Sequence, residues 1–234
     1  MPIKKTTKGY YELWECHKFV RHIGNEEAYL KYQRDLEKHR RATAALESPT
    51  RPPTPDMPSG VFDIALADPP WRYDFDVESR ATENHYPTLT LREICRLRDS
   101  NKVTVQAKFD DNAILFLWAT APKLNEALEV IKAWGFTYKT NMVWVKDKIG
   151  LGWYVRNRHE MILIAEKGDM PLPEANVRPA STLEYPRTTH STKPPEFYSL
   201  IETWYPGRRY IEVFGIENEA RPKHWAVFGN KLYE

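Results

Sequence analysis

A chain of 234 residues suits one α/β domain, or one domain with a short appendage, and is long enough to bury a single core. Hydrophobic residues make up 41% and charged residues 28%, the balance of a soluble globular protein. No apolar run approaches the roughly eighteen residues of a membrane span, and the N-terminal MPIKKTTKGYYELW has no signal-peptide core. Cys16 and Cys95 have neither CxxC nor metal-ligand spacing, so both are expected to be reduced packing residues in a cytoplasmic protein. A formal net charge of +2 does not by itself imply nucleic-acid binding. The aromatic content of 13%, with eight tryptophans, is more suggestive, because flat rings stack on unpaired bases. Rings of this kind also fill cores.

In chain order, residues 1–47 are expected to form a helical extension, with good helix formers in EEAYLKYQRDLEKHRRATAALE and a thin apolar stripe. This segment suits a homodimer or partner-docking arm, or a basic surface from Arg34, Lys38, His39, Arg40 and Arg41; a plain solvated helix is the alternative. Residues 48–59, SPTRPPTPDMPS, carry five prolines and read as an extended linker to a domain over 60–234. VFDIALA (61–67) is a short apolar run stopped by Pro69-Pro70, as expected of a buried strand. LTLREICRL (89–97) reads as helix, AILFLWA (113–119) as buried strand, and KLNEALEVIKAW as a helix opened by Pro122 and closed by Gly135. Residues 136–146 and 160–166 are strands around a glycine-containing loop, and 168–190 are loop-like. PPEFYSLIETW (194–204) is a helix, followed by strands at 208–215 and 225–230. Apolar strands alternating with helices predict a doubly wound, mostly parallel α/β sheet. Ligands in such sheets sit beyond the carboxyl ends of the strands. Asp68-Pro69-Pro70-Trp71 and Phe214-Gly215 both occupy positions of that kind.

The tetrapeptide carries the clearest chemistry. An exocyclic amine of adenine is a poor nucleophile because its lone pair is delocalised into the ring. A catalyst must accept hydrogen bonds from both amine hydrogens, favouring a tetrahedral nitrogen whose lone pair faces an electrophilic methyl. Asp68 supplies one acceptor. The Pro69 carbonyl supplies a second, and the neighbouring prolines restrict the backbone that aims it. Trp71 offers a flat face for an extruded base, worth roughly 1–3 kcal/mol, against the few kcal/mol needed to unstack that base. The sequence DPPW arises by chance in on the order of one protein in a few thousand of this length.

ADPPW resembles the signature of the MT-A seventy family of adenine methyltransferases, particularly its phage and bacterial members. The likeness runs from about Val61 to Leu232 through HYPTLTLREI, LFLWAT, WGFTYKTNMVWVK, GLGWYVRNRHEMILIAEKG, HSTKPPEFYSLIE and IEVFG with WAVFGN, in the family's order. The resemblance implies a Rossmann-like fold of the permuted beta class, with S-adenosyl-L-methionine as cofactor. It implies that Asp68 touches both the target amine and the amino end of the cofactor, and that Lys193 of the S-x-K-P pattern pairs with the cofactor carboxylate. Independently, a lysine at a helix start is unfavourable for the helix dipole and fits an anionic ligand shared with that helix end. Glu212, Phe214 and Gly215 match the E-x-F-x segment of the cofactor site, and Asn230 the ribose-binding G-N. Glu212 equally fits a strand face pointing at solvent. The family commonly has arginine after this segment; here Ile216 follows, and Arg221 or Asn218 is the candidate substitute. No glycine-rich dinucleotide fingerprint is present, which argues against NAD.

Arg72, Tyr73 and Tyr86 flank the catalytic strand end; Arg156, Asn157, Arg158 and His159 cluster before EMILIAE; Arg187 and His190 lie near Lys193. Clustered cations beside a base pocket suit phosphate contacts. The histidines show no metal-ligand spacing, so no metal is expected. Three functions follow: an adenine-specific DNA methyltransferase acting on double-stranded DNA, the same chemistry on RNA, or a noncatalytic nucleic-acid-binding partner subunit. The intact tetrapeptide favours catalysis, and the likeness to phage and bacterial members favours DNA in a bacterial cytoplasm.

Overall fold

A computed structural model of the chain describes residues 3–8, 10–15, 18–34, 55–73, 88–150, 154–186, 193–215 and 219–229. The chain divides into two compact units, one comprising Met1–Arg51 with Asp74–Asn84 and the other Pro52–Tyr73 with His85–Glu234.

In the first unit, strands β1 (Ile3–Lys5), β2 (Tyr11–Glu15) and β3 (Lys18–Gly24) form an antiparallel sheet in that order. Helix α1 (26–34) follows. The expectation of a helical extension over 1–47 is thus corrected for residues 3–24. YELWE and KFVRHI mix aromatic and β-branched residues with polar ones, a composition suited to a β-strand, whereas the helix formers that carry the expectation lie from Glu26 onward. Residues 35–54, with most of the expected linker, lie outside the described residues.

The second unit is built on a seven-stranded sheet. Its strands are β4 (Phe62–Ala67), β5 (Phe109–Ala119), β6 (Thr137–Val145), β7 (His159–Lys167), β8 (Thr182–Glu184), β9 (Tyr210–Val213) and β10 (Ala226–Phe228). Their order is β10-β9-β4-β5-β7-β6-β8. All pairings are parallel except those of β7, which runs antiparallel to both β5 and β6. Helices α2 (Leu91–Cys95), α3 (Leu124–Ala133) and α4 (Glu196–Trp204) complete three layers.

The continuous apolar run at 62–67 follows from burial on both faces. Ala65 and Ala67 of β4 join Leu115, Leu117, Ile211 and Val213 in a core that also holds Ile94 of α2 and Val130 and Ile131 of α3. Ile64 and Leu66 turn the other way and pack with Phe116, Trp118 and Ile162 beneath Phe197 and Ile201 of α4. Helix α2 starts with a capping box, in which Thr90 accepts from the Glu93 N–H and the Glu93 side chain accepts from the Thr90 N–H. Helix α3 ends as expected at Gly135, which takes φ +85° while the Phe136 N–H donates back to the Ile131 carbonyl at 3.0 Å. Strand β8 falls inside the stretch expected to be loop. Three residues of an edge strand are too few to show a period.

From β4 the chain proceeds to β5 on one side, whereas β9 on the other side leads to β10. The order therefore reverses between β4 and β9, and the crevice beyond their carboxyl ends is where such sheets take ligands. No helix among the described residues is long and apolar enough to cross a membrane.

Candidate active site

Asp68 is the residue that leaves β4 at this crevice, and its N–H donates to the Val213 carbonyl of β9 at 3.4 Å. Its Oδ2 accepts from Lys193 Nζ at 2.6 Å. Lys193 precedes α4 and comes from 125 residues further along the chain. The same Nζ lies 3.5 Å from Glu160 Oε2 and 5.4 Å from the centroid of the Trp118 ring. Glu160 is held in turn by a short hydrogen bond from Lys146 Nζ, which also sits 4.7 Å over the Trp144 ring. Two carboxylates and two ammonium groups thus alternate as Asp68–Lys193–Glu160–Lys146.

Burial acts differently on the two acids. Loss of solvent pushes the Asp68 carboxyl above its ordinary range, with Lys193 opposing and Glu160 reinforcing the rise. Glu160 suffers desolvation too, but the fields of Lys193 and Lys146 hold it below the ordinary value. Asp68 keeps 35% of its side chain open, so it remains reachable from the crevice.

The rest of the tetrapeptide is fixed by main-chain bonds. The Trp71 N–H donates to the Pro69 carbonyl at 2.8 Å, and the Leu89 N–H to the Pro70 carbonyl at 2.9 Å. Pro69 and Pro70 are buried. A carbonyl oxygen has two lone pairs, so Pro69 retains one acceptor position beyond that turn. Trp71 differs from expectation: its side chain is only 7% exposed, sits in the α2–α3 core and donates from Nε1 to the Trp118 carbonyl at 3.2 Å. Among the described residues the ring is therefore a core residue and not an open stacking face. Tyr73 bonds Thr120 Oγ1 through its hydroxyl at 2.5 Å and lies under Lys123 Nζ at 5.2 Å; Arg72 is exposed.

A second cluster forms at the end of β9. Glu212 does not face solvent; its Oε2 accepts from Arg221 Nη1 at 2.7 Å and from the Tyr198 hydroxyl at 3.1 Å. The two charged side chains are 14% and 13% exposed. Desolvation raises the Glu212 pKa, while Arg221 and Tyr198 oppose the rise. Arg221, one of the two substitutes considered for the arginine missing at Ile216, therefore reaches this strand end from further along the chain. Phe214 takes φ +66°, a left-handed conformation rare outside glycine, asparagine and aspartate and costly for a bulky side chain. Beside it, a Cβ on Gly215 would lie 2.9 Å from Val227 Cγ1 and 3.1 Å from Glu212 Cδ, so a larger residue would have to displace those side chains.

Next to the acidic–basic chain is a cleft of ≈ 190 Å³ lined by Thr120, Lys146, Lys148, Gly150, Asn157, His159 and Glu160. Arg156 is exposed and donates from Nε to the Gly150 carbonyl at 3.3 Å; Arg158 does the same to the Lys146 carbonyl at 2.9 Å. Tyr86, Arg187, His190, Asn218 and Asn230 lie outside the described residues. Glu160, Lys146 and Thr120 were missed in the sequence. Reversal of β7 is what brings Glu160, near the start of its strand, to the edge where the parallel strands end. Antiparallel direction has no residue-level signature in an apolar run.

The donors and acceptors gathered here fit a zwitterionic amino-acid group: Asp68 as acceptor for an ammonium, Lys193 as donor to a carboxylate. Comparisons with known proteins give the family. The model of the MT-A70 family matches residues 62–231. The Type II methyltransferase M.MunI of Mycoplasma sp is 30% identical over 192 residues, covering 74% of this chain and 80% of that protein. The N(6)-adenosine-methyltransferase catalytic subunit METTL3 of Homo sapiens is also 30% identical, over 181 residues, but the match spans 74% of this chain and only 28% of the human protein. The Danio rerio subunit gives 30% over 185 residues, again 28% of its length. The chain belongs to the MT-A70 family of adenine methyltransferases, which use S-adenosyl-L-methionine as methyl donor.

Proposed function

We propose that the protein transfers a methyl group to the exocyclic amine of adenine in double-stranded DNA, with Asp68 as the catalytic carboxylate. The observation that carries the reading is the position of Asp68: it leaves β4 at the switch point, with a raised pKa and Lys193 at 2.6 Å. S-adenosyl-L-methionine, when bound, supplies the electrophilic methyl group. Lys193 and Asp68 would hold its amino-acid end, and Glu212, steadied by Arg221 and Tyr198, would face its ribose beside Gly215.

Among the described residues the Lys193 bond falls on Oδ2, so we assign Oδ1 of Asp68 to one amine hydrogen and the remaining Pro69 lone pair to the other. Two acceptors on one amine draw its lone pair out of conjugation with the ring. Transfer leaves the nitrogen with an extra proton, and a carboxylate whose pKa is raised is the better acceptor for it. The buried Trp71 ring and the Pro70–Leu89 bond fix the turn that aims both acceptors. DNA is favoured over RNA because the chain spans 80% of a Type II methyltransferase but 28% of the adenosine-modifying subunit.

Labelled cofactor offered with DNA and RNA substrates in parallel tests the reading. Transfer to duplex DNA is expected, and Asp68→Ala should lower it by at least about a hundredfold, the scale of losing one preorganised polar group at a reacting centre. Transfer to RNA alone would replace the polymer while keeping the chemistry. Cofactor binding without transfer to either would leave a noncatalytic partner subunit.

A further inference from the structure

The β6–β7 hairpin carries a feature the reading above does not use. Its neck is pinned: the Lys146 N–H donates to the Arg158 carbonyl at 2.8 Å and the Gly150 N–H to the Asn157 carbonyl at 2.6 Å. The Arg156 and Arg158 side chains add bonds back to the Gly150 and Lys146 carbonyls. From this braced neck Tyr154 projects fully exposed, and Val155 is 72% exposed beside it. Ile149 is exposed on the opposite side of the neck. Adjacent apolar side chains presented so openly at one loop are available for contact with an occupant. The segment's charge indicates its chemistry, because Lys148, Arg156 and Arg158 share it and no acidic residue occurs from Lys148 to His159. A protein partner able to neutralise those cations would need a matching acidic surface, whereas a nucleic acid supplies phosphates and apolar base faces together.

Position narrows this further. The same hairpin lines the ≈ 190 Å³ cleft through Lys146, Lys148, Gly150, Asn157 and His159, and that cleft reaches Glu160, which contacts Lys193 and through it Asp68. An adenine that enters the crevice must first leave its stack and its pair. Apolar side chains that enter a duplex at a base step lower the cost of leaving by filling the gap. We propose that Tyr154 and Val155 form a wedge that enters duplex DNA beside the target adenine, with Arg156 and Arg158 on the flanking phosphates. This assignment rests on the reading of the protein as a DNA adenine methyltransferase.

The experiment compares transfer to one plasmid, prepared unmethylated, in duplex and in heat-denatured form. Denatured DNA needs no extrusion. Tyr154→Ala should lose roughly tenfold on the duplex, in keeping with the loss of one aromatic–base contact, and stay within about twofold of the parent on the denatured form. Tyr154→Phe should keep the parent ratio, and calorimetric affinity for the cofactor should be unchanged in both variants. Tyr154 is fully exposed and packs in neither core, and an unchanged thermal midpoint checks that the variant folds. Equal losses on both forms, or none on either, overturn the wedge. So does a change of mass in solution with an unchanged duplex-to-denatured ratio, which would give the tip to a protein contact. If the parent protein transfers nothing to duplex DNA, the reading of function fails first and the wedge with it.

Discussion

Lys193 stands between two carboxylates, 2.6 Å from Asp68 and 3.5 Å from Glu160, and its charge is what keeps Asp68 from rising further in pKa. The sign can be worked through. Asp68 is raised in the folded protein, so its protonated form is favoured by folding; the stability this gives is present at acid pH and fades as pH climbs through the folded value. In the proposed role, acceptance from the amine requires the ionised form, so activity should grow where that stability contribution is lost. Replacing Lys193 by Met removes the principal opposing charge. The acid limb of the kcat profile, measured at saturating cofactor, should then move to higher pH, with the neutral-pH rate lower than the parent's. An unmoved kcat profile with only the KM for the cofactor raised would show that Lys193 acts on cofactor affinity alone. At this scale the sequence named Asp68 and Lys193 but not their partners Glu160 and Lys146. A tetrapeptide is read from neighbours in the chain, whereas Glu160 belongs to the site only because a whole strand is reversed.

Elements are fastened at the edge opposite the crevice. Arg209, just before β9, forms a two-pronged pair with Asp63 near the start of β4, at 2.6 and 3.0 Å, and reaches Asp110 near the start of β5 at 2.7 Å. Three neighbouring parallel strands are thus tied at their amino ends. Asp63 is one of the few buried charged residues, and the Arg209 side chain holds its carboxyl below the ordinary range. Arg209 is itself half-exposed, which weakens the pair by solvent screening. Arg209→Met should cost about 1–2 kcal/mol, mostly from the unpaired Asp63 carboxylate, and lower the thermal midpoint by a few degrees. A depressed pKa gives stability above the unfolded value that is lost as pH falls through the folded one. The gap between parent and variant should therefore close in acid. Thermal melts at neutral and acid pH check both statements. Most elements were legible here: β4, β5, α3 and α4 declare themselves by apolar runs, caps and prolines, because those signals are local. The strands at 3–24 did not, since their backbone pairings, not their propensities, decide their state.

Among the described residues, both apolar cores are made from residues at or beyond Met57. The compact unit that holds them begins at Pro52. A fragment starting at Pro52 should therefore fold, with a cooperative thermal transition within a few degrees of the full chain and retained cofactor affinity; a fragment that melts without a transition would show that the first unit completes the core. The sequence by itself pointed to the atom proposed for modification, the family and the alternation of strands and helices, because each rests on residue types at short spacing. Only the tertiary structure decided the rest. Pairing across the sheet set the switch point between β4 and β9 and the reversal of β7. Packing buried Trp71 and drew Arg221 to Glu212. Such contacts join residues far apart in the chain, and their geometry exists only once the sheet has closed around them.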